Sequence, residues 1–184
     1  MHRDMIWGSD MALVIVDPQR KFSLDIPDWE ERMNKAVTGM NAFSKIFREN
    51  GKPVILIQFD GESHTGYSGE DADSWLPGLI TDDSDIIIHK THMNCFKETD
   101  LEKTLRDLNV DSVLFAGMLT EYCVMTTYFA AAERGFYTFL GENSTIPYDV
   151  KGNEAAEVIC STVSLGTVER FLKGEQPEID ISGH

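Results

Sequence analysis

The chain has 184 residues, 42% of them hydrophobic and 26% charged, which suits one globular domain spanning residues 1–184. Its formal charge of -15 argues against nucleic acid or an anionic membrane surface as partner, because both need a basic face. No apolar run approaches the roughly 18 residues of a membrane span, the first ten residues lack a signal-peptide core, and three scattered cysteines without a C-x-x-C pair fit a reducing compartment, most simply the cytoplasm.

In chain order, Met11 to Val16 (M-A-L-V-I-V) is a continuous apolar run that stops at Asp17-Pro18. It reads as a central parallel strand with Asp17 just past its carboxyl end. From about Asp28, Met33, Val37, Met40, Phe43, Ile46 and Phe47 recur at helical spacing as far as Asn50-Gly51. Pro53 to Ile57 reads as a second buried strand. The stretch from Asp60 to about Leu79, rich in Gly and acids, is the longest irregular segment, and such loops usually serve function.

Asp85 to His89 predicts a third strand, which leaves Lys90 at its carboxyl end. A short helix over Leu101 to Leu108 leads to a fourth apolar run, Val113 to Ala116, broken by Gly117. A helical pattern follows through Val124, Thr127, Ala131 and Arg134, stopped by Gly135. Phe136 to Leu140 predicts a fifth strand, Ala155 to Ile159 a helix, Val163 to Leu165 a short sixth strand, and Val168 to Leu172 a closing helix.

Alternating strands and helices imply right-handed crossovers, and so a three-layer α/β/α fold with a mostly parallel sheet of about six strands. Ligands bind such sheets outside the carboxyl ends of the strands, where the strand order reverses. Asp17, Lys90 and Cys123 each fall just past such an end. The first turn of a helix presents N–H donors and a dipole that favour a thiolate, so Cys123 is placed as a nucleophile, with Asp17 as its base and Lys90 as the supporting cation. Cys95 and Cys160 lack that context and read as packing residues. Phe22, Trp75 and Tyr122 are candidate pocket walls, while His89 and His92 flank Lys90.

With those residues in place, the chain resembles the isochorismatase-like cysteine hydrolases, which include nicotinamidases and N-carbamoylsarcosine amidohydrolases. The stretches that carry the resemblance are V-I-V-D-P-Q-R-K-F (14–22), L-P-G-L-I-T-D-D-S-D-I-I-I-H-K (76–90) and F-A-G-M-L-T-E-Y-C-V-M-T-T (115–127), within a likeness running from about Met11 to Phe171. It implies Asp17 as proton acceptor, Lys90 as cation and Cys123 as nucleophile. It also implies a non-proline cis peptide between Met118 and Leu119, with the Leu119 and Cys123 N–H groups as an oxyanion hole. Phe22 and Tyr122 become substrate-binding residues, and a homo-oligomer is the expected state.

Departures from the family narrow the chemistry. Nicotinamidases carry Asp-x-His and a further His as metal ligands, whereas here the sequence reads Asp60-Gly61-Glu62-Ser63-His64. Neither Asp60 nor His64 is therefore expected to hold a metal, and no cofactor is expected. Isochorismatases proper, which cleave a vinyl ether, typically lack the nucleophilic cysteine, so Cys123 favours hydrolysis of a C–N bond in a small amide, ureido or carbamoyl compound through a thioester. A non-catalytic member binding a metabolite or partner, a thiol sensor and a vinyl ether hydrolase stay open as alternatives.

Overall fold

The apolar runs do become strands in the computed structural model, which describes residues 10–62, 66–175 and 177. They are β1 (Met11–Val16), β2 (Val54–Phe59), β3 (Ile86–Lys90), β4 (Ser112–Met118), β5 (Tyr137–Ile146) and β6 (Thr162–Val163). All pair in parallel, in the order β3-β2-β1-β4-β5-β6. No residue of β1 is more than 1% exposed, as expected of a central strand covered on both faces.

The period of two along β1 divides the core. Met11, Leu13 and Ile15 face α1 (Trp29–Glu49) and α5 (Leu165–Leu172). Ala12, Val14 and Val16 face α2 (Leu101–Asp107), α3 (Met125–Glu133) and the end of α4 (Lys151–Ile159). Along α1, Met33, Val37, Met40, Phe43 and Phe47 supply the buried stripe that the helical spacing implies. Gly39 lets that helix approach β5 closely, since a Cβ there would lie 2.2 Å from the Asn143 carbonyl oxygen.

Several boundaries differ from the sequence reading for identifiable reasons. Gly117 does not end its strand. It continues β4 to Met118 at φ +109, in register with Val16, and shifts the pairing with β5. A Cβ at 117 would meet the Val16 carbonyl oxygen at 2.1 Å and its nitrogen at 2.5 Å, so glycine serves close approach between strands rather than a stop. The fifth strand runs beyond Leu140 because Gly117 and Met118 pair with Thr145 and Ile146. Ser164 leaves the sixth strand because its hydroxyl accepts the Thr167 N–H and caps α5.

Reversal of the strand order falls between β1 and β4, with β2 and β3 to one side. Asp17 leaves the first of these strands and the Cys123 turn leaves the second. Gly117→Ala is expected to lower the unfolding free energy by more than about 2 kcal/mol, from left-handed strain and the clash with Val16. Denaturant titration checks this; an unchanged midpoint would mean that the two strands can part at no cost.

Candidate active site

Asp17 is the first residue after β1 and adopts a left-handed conformation, φ 46, which aspartate tolerates better than most residues. Its side chain is buried, and Lys90, the last residue of β3, reaches it across β2 with Nζ 2.8 Å from Oδ2. Neither carboxylate oxygen accepts a well-directed hydrogen bond among the described residues, so this contact is a buried ion pair. The Lys90 ammonium also donates to the Met93 carbonyl at 3.0 Å. It lies 5.7 Å from the centre of the Phe59 ring, at the end of β2.

Between β4 and α3 the chain makes a π-helical turn, Thr120–Val124, entered through a cis peptide between Met118 and Leu119. Cys123 rides on that turn, half-buried and near enough to the Asp17 carboxylate for each group to shift the other's titration. Tyr122 and Val124 donate their N–H groups to the Leu119 carbonyl at 3.1 and 3.3 Å, which fixes the turn against the buried Leu119.

The electrostatics correct one expectation. The helix start does not leave Cys123 a ready thiolate. Burial, then the neighbouring Asp17 carboxylate, push the thiol above its ordinary range, and Lys90 offsets this only in part. Burial pushes the Asp17 carboxyl up to about 6 against the opposing pull of Lys90, the Cys123 thiol and Lys21. Burial would draw Lys90 down, but Cys95, Asp17 and Cys123 around it hold it above its ordinary value. At neutral pH the resting arrangement is therefore carboxylate, ammonium and neutral thiol.

Further residues that the sequence reading left out join this centre. Cys95 is packed, fully buried and pushed up to about 11 by burial, yet its thiol also faces Lys90. The buried Thr127 hydroxyl donates to the Cys123 carbonyl at 2.7 Å and accepts the Cys95 N–H at 3.2 Å. It thereby ties the turn bearing the thiol to the segment that follows Lys90. A threonine four residues after the cysteine was visible in the sequence, but only the fold brings Cys95 to it.

The loop after Asp17 is anchored with similar economy. Gln19, fully buried, accepts the Phe59 N–H at 2.7 Å and donates to the Phe59 carbonyl at 3.2 Å. Lys21 donates to the carbonyls of Phe59 and Gly61 at 3.0 and 2.9 Å and pairs with Asp73; Arg20 pairs with Asp71. Phe22 packs on the core with its ring 5.7 Å from that of Phe59, and Trp75 bridges to Gln19 through the backbone. Tyr122 is exposed and meets Tyr148 edge-on at 6.1 Å, while Glu121 holds the Tyr148 and Asp149 N–H groups at 2.9 and 2.7 Å.

The histidines beside Lys90 point to surface carboxylates. His89 Nδ1 sits 3.0 and 3.1 Å from the Asp60 oxygens, and His92 Nε2 sits 3.1 Å from Glu98. Asp60 is thus engaged by His89, and among the described residues no three His, Cys, Asp or Glu side chains gather as metal ligands. His64 lies outside the described residues. No described helix is long and apolar enough to cross a membrane.

A family model described as Isochorismatase domain matches residues 11–157. The chain is 31% identical over 143 residues to the uncharacterized isochorismatase family protein YrdC of Bacillus subtilis, covering 76% of this chain and 75% of that one. It is 27% identical over 163 residues to Nicotinamidase 3 of Arabidopsis thaliana, covering 78% and 77%. In fold it resembles N-carbamoylsarcosine amidase from Thermoplasma acidophilum, with TM-score 0.69 and 20% identity over 84% of this chain and 95% of that one.

Of the three cysteines only Cys123 is partly exposed, so iodoacetamide is expected to label it ahead of Cys95 and Cys160. Because its thiol is held up, the rate should keep climbing through mildly alkaline pH. Peptide-resolved mass spectrometry reads both effects; a plateau near neutrality would reveal a preformed thiolate instead.

Proposed function

Since this chain belongs to the isochorismatase family of hydrolases, we propose that it cleaves a C–N bond in a small amide, ureido or carbamoyl compound through a thioester on Cys123, without a metal. The observation that carries the reading is the meeting of the Cys123 thiol, the Asp17 carboxylate and the Lys90 ammonium in one buried cluster. The printed functions of two relatives, a nicotinamidase and an N-carbamoylsarcosine amidase, support C–N chemistry.

The resting ionisation sets the order of events. A carboxyl at about 6 is ionised at neutral pH and accepts the thiol proton as the sulfur attacks the substrate carbonyl carbon. Attack and deprotonation occur together, because a free thiolate beside Asp17 is disfavoured. Lys90, 2.8 Å away, holds the carboxylate in place and balances the charge that grows on sulfur. The Leu119 and Cys123 N–H groups receive the developing oxyanion, each worth roughly 3 kcal/mol to the transition state.

Collapse of the tetrahedral species breaks the C–N bond, and Asp17 returns the proton to the departing nitrogen. Water then attacks the thioester carbon and gives its proton to Asp17, which passes it to the sulfur as the acid leaves. Phe22, which follows Asp17 closely in sequence, and Tyr122, the neighbour of Cys123, bound the substrate.

A screen of small amides and ureido compounds for release of ammonia or amine tests the reading. Cys123→Ala should lower turnover at least about 10³-fold while the far-ultraviolet circular dichroism is unchanged. Since Asp17 must be ionised to act as base, kcat/KM should fall as pH drops through about 6. A profile flat across that range would remove Asp17 from the role.

Chelation is expected to leave turnover within about twofold, where loss of a required metal or its supporting shell typically costs tenfold or more. Loss restored by added zinc, manganese or iron would assign Asp60, His64 or both to a metal after all.

A further inference from the structure

On the α1 side of the sheet a cavity of about 270 Å³ opens among Arg32, Lys35, Asn143, Thr145 and Asn153. None of Asp17, Lys90 and Cys123 lines it. We propose that this cavity binds a small oxyanion of the phosphate or carboxylate class.

Arg32 uses Nε and Nη2 on the Asp28 carboxylate, at 2.7 and 2.6 Å, and leaves Nη1 buried in the wall with no partner among the described residues. A donor shut away unpaired is costly, and an oxyanion at that wall supplies the missing acceptor. The Lys35 ammonium and the Asn143 amide make no hydrogen bond to a described residue. Asn153 accepts the hydroxyls of Thr120 and Thr145 on its oxygen at 2.8 and 3.2 Å and donates one N–H to the Thr145 carbonyl at 3.3 Å, so its second N–H is unspent.

Four residues thus bring unused donors to one small space, two of them cationic. The single carboxylate in the lining, Asp28, is already paired with Arg32. In a chain of formal charge -15, a locally positive, donor-rich hollow runs against the global sign. A ligand with several acceptor oxygens and negative charge matches all four donors, while Ala36, Pro147 and Val150 complete the wall. Through Asn153 the cavity also touches Thr120, the residue next to Leu119 on the Cys123 turn.

The test titrates the intact protein with sodium phosphate and, separately, with sodium succinate at constant ionic strength, reading the Asn143 and Asn153 side-chain amide signals by NMR. Saturable shifts with either ion support the proposal, and the ion that acts says whether the site prefers a tetrahedral or a planar group. Lys35→Met, a change on the exposed face of α1, should weaken binding about tenfold, and Arg32→Gln should weaken it further. Absence of saturable shifts up to about 50 mM, or shifts that both variants leave intact, would overturn it. Cys123→Ala should bind like the parent protein, which separates failure of this site from failure of the catalytic reading.

Discussion

Everything at the carboxyl end of the sheet depends on one buried ion pair. Taking a carboxylate and an ammonium out of water costs several kcal/mol per ion, repaid only if each finds the other in good geometry. Asp17 and Lys90 sit on strands separated by β2, so the pair forms only when that strand is seated between them. The long lysine side chain spans the gap and is completely sheltered as it does so. Repayment is incomplete, since the aspartate still titrates near 6 and neither of its oxygens receives a well-aligned donor. In the proposed reaction that residual discomfort suits Asp17 as base, because a carboxylate fully satisfied by its partners would be too weak to take a proton from sulfur.

The supporting shell explains why the arrangement holds its shape. Gln19 and Lys21 grip the backbone at the end of β2, and the Phe59 ring lies 5.7 Å from both the Lys21 and the Lys90 ammonium groups. Thr127 joins the cysteine turn to the segment after β3. Asp17, Lys90 and the Cys123 turn therefore lie at or just past three strand ends, and buried hydrogen bonds fasten the segments around them to one another. Preorganisation of this kind is what allows a modest set of side chains to act on a difficult bond.

Much of this was legible in the sequence. M-A-L-V-I-V ending at Asp17 announced a buried parallel strand and the position just past it, because only a strand covered on both faces can be apolar at six successive residues. Lys90 and Cys123 were placed at the same rim by the same logic. What escaped were features that depend on contacts between distant segments. Gly117 looks like a strand breaker locally, and only its apposition to Val16 shows why the strand needs it. The state of the cysteine was misjudged because a helix start was weighed without the carboxylate that the fold sets beside it. Cys95 carried no local signal, the spacing of Thr127 from Cys123 did not reveal its second partner, and Glu121 holds the turn after β5 where Tyr148 meets Tyr122.

The strand order also governs when the site comes into being. No two neighbours in a parallel sheet can pair until an entire crossover has been laid down between them, so this fold has no hairpin with which to begin. Asp17 and Lys90 are separated by α1, β2 and the long irregular segment, and Cys123 follows only after another helix and strand. A partly folded chain can hold β1 against β2 and still lack the cluster of Asp17, Lys90 and Cys123. The cluster is thus a late product of folding, present only in molecules in which β1, β2, the edge strand β3 and β4 have all taken their places.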